Sequence, residues 1–80
     1  MPKVFEWQGY RFHFYADEGD PREPPHIHVR KGRENAKFWL RPEVTVAYSK
    51  RMSPMVLSKL SGVIEARRDL IERAWHDFFS

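Results

Sequence analysis

The segment Glu23-Pro24-Pro25-His26-Ile27-His28-Val29 marks the start of a strand and places two histidines two residues apart on it. Consecutive prolines hold Pro24 in an extended conformation and exclude a helix here, so a strand is predicted to begin at His26. Side chains alternate along a strand, so His26 and His28 are predicted to project to one side together with Arg30. We expect the apolar side of the strand to face the core and the imidazole side to face solvent or a cleft.

Two imidazoles on one strand face are close enough to act together. Two residues of strand rise separate their Cα atoms by roughly 6.5–7 Å, so both rings can tilt toward a shared metal ion, phosphate or proton. The simpler interpretation is a pair of exposed histidines on the polar face of a half-buried strand, which needs no function.

Alternating apolar residues predict further strands around this segment. The predicted strands cover residues 4–8, 10–16, 26–31, 36–40 and 44–48, with a hairpin turn at Gly9 and a second turn over 32–35. Tyr10, Phe12 and Phe14 share one face of the second strand. We assign them to the core rather than to base stacking, because a long helix needs an apolar sheet face to pack on.

The second half of the chain changes to a helical period. Ser53-Pro54 is predicted to be an N-cap followed by proline at the first helical position. Apolar residues then recur at spacings of three, four and seven, which predicts one long amphipathic helix over 53–79; these residues are Leu57, Leu60, Ile64, Ile71, Ala74 and Phe78. Gly62 is expected to weaken or bend the helix. Arg67 falls within the apolar stripe, so it is expected to form a salt bridge or to reach a bound anion.

Length and composition limit the class of protein. The 80 residues are predicted to form a single domain over 1–80, with sheet over 1–52 and helix over 53–79. The sequence contains no cysteine, so any metal would be bound by His, Asp and Glu. No apolar run reaches the roughly 18 residues of a membrane span and no secretory pattern is present, so we expect a cytoplasmic protein without membrane contact.

Basic residues crowd the predicted turn between the third and fourth strands. The formal net charge is +3, and the crowded positions are Arg30, Lys31, Arg33 and Lys37. A basic surface beside two histidines suits a polyanion such as nucleic acid. The alternative is that these side chains only solvate a hairpin tip.

A third histidine joins the pair if the second and third strands are neighbours. His13 lies on the second strand, on the same face as Arg11 and Tyr15. With His26 and His28 it would form a zinc site with an open fourth position. A carboxylate ligand could come instead from the acidic stretch, at Asp17, Glu18 or Glu23.

Without a metal, the same residues suit general acid and base catalysis. Histidines near their own pKa would transfer protons, Arg30 would neutralise phosphate charge, and Tyr15 would donate a hydrogen bond. His76, near the carboxyl end of the predicted helix, is a further candidate. The residues alone leave the metal-dependent and metal-independent alternatives open.

Four motifs together resemble one bacterial family. They are Gly9-Tyr10-Arg11-Phe12, the stretch from Glu18 to Val29, Ala36-Lys37-Phe38-Trp39-Leu40, and Ala74-Trp75-His76-Asp77-Phe78-Phe79. They resemble the family called domain of unknown function 4160 (DUF4160) over essentially the whole chain. Residues 41–52 depart from that pattern, because they are more strand-like than the resemblance leads us to expect.

The resemblance implies a partner and gives certain residues more weight. Members of this family are typically encoded beside a small protein of domain of unknown function 2442 (DUF2442), in a pair that looks like a toxin and its antitoxin. It implies that His26, His28, Trp39 and His76 belong to the site, but it supplies no reaction.

We therefore expect an α+β domain, with a small, mostly antiparallel sheet of four or five strands packed against one long C-terminal helix. The expected function is a toxin that acts on RNA or another nucleic acid through His26, His28 and Arg30 and is held inactive by a cognate partner. The alternative is a non-catalytic module that binds nucleic acid or receives a strand from a partner protein, as a monomer or a homodimer.

Overall fold

A computed structural model of the protein describes residues 3–16 and 23–79. These residues form five strands followed by two helices: β1 Lys3–Trp7, β2 Tyr10–His13, β3 His26–Lys31, β4 Glu34–Trp39, β5 Thr45–Lys50, α1 Pro54–Ala66 and α2 Arg68–Phe79. The strands form one antiparallel sheet in the order β1-β2-β3-β4-β5, so each strand pairs with its neighbour in the chain. The predicted α+β class and the antiparallel sheet are confirmed.

Two short turns set the register of the sheet. Gln8 and Gly9 have φ angles of 49° and 83°, the pattern of a type I′ turn, whose twist matches the flanking strands. The turn between β3 and β4 is shorter than the predicted range 32–35, because Gly32 adopts a φ of 59° and Lys31 already pairs with Glu34. This short turn fixes which side chains of β3 and β4 lie opposite each other.

Several predicted strand bounds were wrong: β4 begins at Glu34 instead of residue 36, and β5 ends at Lys50 instead of residue 48. β2 ends at His13 instead of continuing to residue 16, and Phe14 packs edge-on against Trp75 of α2, with ring centroids 5.3 Å apart. The chain therefore leaves the sheet at the point where an apolar side chain is drawn toward the helix. β5 lies at the sheet edge with all six residues exposed, which explains why its apolar pattern is weak.

The prediction of one long helix was also wrong. The helix breaks at Arg67, with φ −116° and ψ 19°, whereas Gly62 lies within α1 without interrupting it. The Arg67 guanidinium lies over the ring of Phe5, 4.5 Å from its centroid, and the residue stays exposed. The break lets a cation on the apolar stripe contact an aromatic ring and solvent instead of being buried. The predicted N-cap is confirmed, since Ser53 Oγ accepts a hydrogen bond from Val56 N at 3.1 Å.

Both helices pack on one face of the sheet. The shared core contains apolar residues of the sheet and of both helices: Phe12, Phe14, Ile27, Val29, Ala36, Phe38, Leu40, Leu60, Ile64, Ile71 and Trp75. The assignment of Phe12 and Phe14 to this core is confirmed. The opposite face of the sheet carries the alternate side chains of the same strands. Neither α1 nor α2 combines the length and apolarity needed to cross a bilayer.

Candidate functional site

The sheet face opposite the helices carries two rows of polar and cationic side chains. Cross-strand partners share a face, so the strand register assigns each row directly. The first row is Glu6, Arg11, Arg30, Asn35 and Lys50, and the second is Lys3, His13, His28, Lys37 and Tyr48. We call these two rows the basic face.

Two arginines lie directly opposite each other at the centre of the basic face. Arg11 on β2 pairs with Arg30 on β3, and both residues are exposed. Within residues 3–16 and 23–79 neither guanidinium forms a salt bridge, although Arg30 Nε donates a hydrogen bond to Gly32 O at 3.2 Å. Like charges directly opposite each other destabilise a sheet. An anion bound between them would relieve that repulsion.

The next cross-strand pair consists of two histidines. The rings of His13 and His28 are stacked, with centroids 5.7 Å apart and planes at 20°. Tyr15 packs edge-on against both, 4.4 Å from His28 and 5.0 Å from His13. β2 and β3 are neighbours in the sheet, as the predicted grouping of His13 with the other two histidines requires.

The third histidine lies deeper. His26 is 0% exposed, and its ring contacts His28 at 5.3 Å, Trp39 at 5.6 Å and Trp75 at 4.7 Å between centroids. The imidazole side was expected to face solvent or a cleft, and His13 and His28 are only 3% and 5% exposed, so their rings do not lie open to solvent. Trp39 of β4 and Trp75 of α2 pack against His26, and Tyr15 packs against His13 and His28.

The two ring nitrogens of His13 have different surroundings. The ring hydrogen-bonds to the backbone of Arg11, whereas its buried Nε2 has no hydrogen-bond partner within residues 3–16 and 23–79. Burial lowers the pKa of His13 below its ordinary value, and the charges of His28, Arg30 and Arg11 lower it further. The imidazole is therefore neutral at neutral pH, with Nδ1 carrying the proton and Nε2 presenting a lone pair.

A cavity opens beside His13. Its volume is about 340 Å³, and its lining residues are Lys3, Arg11, His13, Arg30 and Gly32. All of its charged side chains are cations, so it is suited to an anionic group.

The other predicted site residues are distributed over the molecule. His76 is exposed in the last turn of α2 and lies apart from the ring contacts that join the three buried histidines. Lys31 projects to the opposite side of β3 from Arg30 and lies 4.8 Å from the ring centroid of Tyr10. Arg33 is exposed at the tip of the β3–β4 hairpin.

Lys37 belongs to the basic face but is tied to neighbours. Its Nζ lies 3.0 Å from Glu23 Oε1 and 4.5 Å from the ring centroid of Trp39. Glu23 Oε1 also lies 4.0 Å from His26 Nδ1, a nitrogen that is 2.9 Å from Pro24 O.

The metal hypothesis is limited by this geometry. Among the residues that the structure describes, no three His, Asp or Glu side chains are grouped so that they could hold a metal ion. Asp17 and Glu18, two of the carboxylates considered as ligands, lie outside the described residues.

Sequence reasoning missed three cations of the basic face, namely Lys3, Arg11 and Lys50. They come from β1, β2 and β5, and only the strand register brings them together with Arg30. The available signal was the alternation of Arg11 and His13 on one face of β2, which needed only the pairing of β2 with β3 to become a site.

Comparison with known proteins gives one result. No curated protein and no solved structure matches the chain. The sequence profile of the family described as Domain of unknown function (DUF4160) matches residues 9–76, from the β1–β2 turn to the last turns of α2. This range includes Arg11, Arg30 and the three buried histidines. The chain therefore belongs to the DUF4160 family.

Proposed function

We propose that this protein binds single-stranded nucleic acid, RNA in particular, through its basic face. The observation that carries the proposal is the Arg11–Arg30 pair, two exposed like charges directly opposite each other. Neither guanidinium forms a salt bridge among the described residues, although Glu6 on β1 is the other cross-strand neighbour of Arg11. A phosphate between the two guanidiniums would accept hydrogen bonds from both.

The charge of the surrounding face supports a polyanion. The two rows contain one carboxylate, Glu6, which is already bound by the ammonium group of Lys3. The cations extend across all five strands: Lys3, Arg11, Arg30, Lys37 and Lys50. Cations spread over several strands can contact several phosphates at once, so they suit the repeated phosphates of a nucleic acid strand.

Aromatic side chains beside these cations favour a single strand over a duplex. Tyr48 is 46% exposed and lies on the basic face opposite Lys37, while Trp39 and Tyr15 are partly exposed nearby. Unpaired bases stack on such rings, whereas the bases of a duplex are already stacked.

Binding can be tested by fluorescence anisotropy with a single-stranded RNA of about 12 nucleotides. The Arg11→Gln, Arg30→Gln double variant should lower the affinity and reduce the slope of log K against log salt by about 0.7, the value for one phosphate on a single strand. Lys59→Gln, which removes a cation from the exposed surface of α1, is the matched control and should behave as wild type. Equal loss in the control and the double variant would contradict a site on the basic face.

A second candidate function is RNA cleavage by a toxin. The supporting observation is the stacked His13–His28 pair immediately beside Arg11 and Arg30, which would put proton-transfer groups next to a bound phosphate. A cognate partner of the DUF2442 type would then hold the protein inactive by covering the basic face.

Expression in a bacterial host distinguishes cleavage from binding. If the histidines cleave RNA, the wild type arrests growth and fragments cellular RNA, whereas a His13→Gln, His28→Gln variant with matched protein level does neither. Arrest by both proteins without RNA fragments would contradict cleavage and leave binding as the function.

A further inference from the structure

The cavity on the basic face has the size of one small ligand group. Its volume of about 340 Å³ is at the small end of the roughly 300–1,000 Å³ range of ligand pockets. We call this cavity the basic pocket; it is lined by Lys3, Arg11, His13, Arg30 and Gly32. A phosphate group with part of its sugar fits this volume better than an extended cofactor.

The basic pocket concentrates positive charge more than the rest of the basic face. Arg11 and Arg30 lie opposite each other on neighbouring strands, so their guanidiniums can approach one anion from two sides. Lys3 lines the same cavity from β1, although its ammonium group also binds Glu6. A doubly charged anion gains more from such a convergence than a singly charged one.

The buried nitrogen of His13 supplies an independent indication of a ligand. His13 is 3% exposed, lines the basic pocket, and has no hydrogen-bond partner at Nε2 in the part of the chain that the structure describes. An unsatisfied buried acceptor is costly unless a ligand or water binds it. The missing partner is therefore a group that can share a proton with an imidazole.

The protons on a phosphate decide which kind of phosphate fits. A monoester has a second pKa of about 6, so at neutral pH it is mostly a dianion, and near pH 6 it binds one proton that it can share with Nε2. A diester in the middle of a strand has a single negative charge and no such proton. The dianion of a monoester is favoured by its charge, and its singly protonated form is favoured because it can share a proton with Nε2.

We propose that the basic pocket binds a phosphate monoester at the end of a nucleic acid strand, so that the protein distinguishes phosphorylated from unphosphorylated ends. This inference rests on the proposed nucleic-acid function and adds the chemical group that is recognised. The basic face then binds the strand that follows the phosphorylated end.

The test compares single-stranded RNAs that differ only at one end. The probes are RNAs of about 12 nucleotides with a 5′-phosphate or a 5′-hydroxyl and a dye at the 3′ end, and a second pair with a 3′-phosphate or a 3′-hydroxyl and a dye at the 5′ end. We expect one phosphorylated end to bind about tenfold more tightly than its hydroxyl counterpart, as charged hydrogen bonds predict.

Three variants locate the effect in the basic pocket. Arg11→Gln should reduce the preference to within about twofold. His13→Phe keeps a ring that can stack on His28 and Tyr15 but removes Nε2, so it should lower the affinity for the phosphorylated end more than the affinity for the hydroxyl end. Lys50→Gln, at the far end of the Arg11–Arg30 row, should weaken both RNAs equally and keep the preference. Circular dichroism confirms that each variant is folded.

The outcomes separate this inference from the function on which it rests. Equal affinity for phosphate and hydroxyl ends would overturn the strand-end assignment and leave RNA binding standing. Failure of every RNA to bind would overturn both. Competition by adenosine monophosphate or inorganic phosphate at the same concentrations as the RNA would assign the basic pocket to a free phosphate compound and overturn the strand-end assignment.

Discussion

The Arg11–Arg30 pair is expected to destabilise the free protein and to strengthen its binding of an anion. Both side chains are exposed and directly opposite in the sheet, so they repel each other when no anion is bound. Functional sites often keep such locally unfavourable contacts because binding depends on them. The pair therefore identifies the site more specifically than the net charge of the chain does.

Removing one arginine should stabilise the free protein. Arg11→Gln relieves the repulsion and is expected to raise the free energy of unfolding by about 0.5 kcal/mol at low salt. The gain should shrink at about 1 M salt, where the Debye length is near 3 Å. Urea unfolding at both salt concentrations measures the effect. A variant less stable than wild type at low salt would show that the attraction of Arg11 to Glu6, its neighbour on β1, outweighs its repulsion by Arg30.

His13 should make stability depend on pH. Its folded-state pKa is lowered, first by burial and then by neighbouring positive charge, so between that pKa and about 6.5 the unfolded chain binds more protons than the folded protein. The contribution is fully present above the unfolded-state pKa and is lost as pH falls from there toward the folded-state pKa. The ionisable groups around His13 are Lys3, Arg11, Tyr15, His28 and Arg30.

The His13→Gln variant tests this dependence. Urea midpoints should fall less steeply between about pH 7.5 and about pH 5.5 in the variant than in wild type. His76→Gln removes an exposed histidine from α2 and should keep the wild-type slope. Identical slopes in all three proteins would show that His13 is not the buried group that titrates.

The sequence predicted where strands and helices begin better than it predicted which elements contact each other. Double proline located the start of β3, and Ser53-Pro54 located the start of α1, because backbone geometry and capping act within a few residues. The helix break at Arg67 was missed because it depends on Phe5, 62 positions earlier in the numbering. Contacts across such distances are set by the tertiary fold and leave no local pattern.

Substitution by alanine should have opposite effects on stability at Gly62 and at Gly9. Gly62 lies in α1, and a Cβ there would meet nothing within 4 Å, so Gly62→Ala should stabilise the protein by roughly 0.5–1 kcal/mol. Gly9 has a φ of +83°, and a Cβ there would lie 3.3 Å from Lys31 Cε, so Gly9→Ala should destabilise it. Thermal unfolding of both variants provides the measurement. A destabilised Gly62→Ala would mean that α1 needs the flexibility of glycine at this position.

The two faces of the sheet have different roles in the molecule. One face packs against α1 and α2 and forms the apolar core, and the other carries the two cationic rows and the imidazoles. Individual candidates such as His26, His28, Arg30 and Lys37 were accessible from the sequence. Their assembly with Lys3, Arg11 and Lys50 was not, because it follows from a register set by two short turns.

The most direct test of RNA binding at the basic face is a nitrogen–proton NMR titration of the wild-type protein with single-stranded RNA. The three tryptophans provide internal probes. Trp39 lies beside Lys37 on the basic face, whereas Trp7 lies on the helix side of β1, next to a groove formed with α1. We predict that RNA shifts the Trp39 indole signal and the amides of β2 to β4 while Trp7 stays unchanged. Shifts confined to Trp7, α1 and α2 would contradict the account.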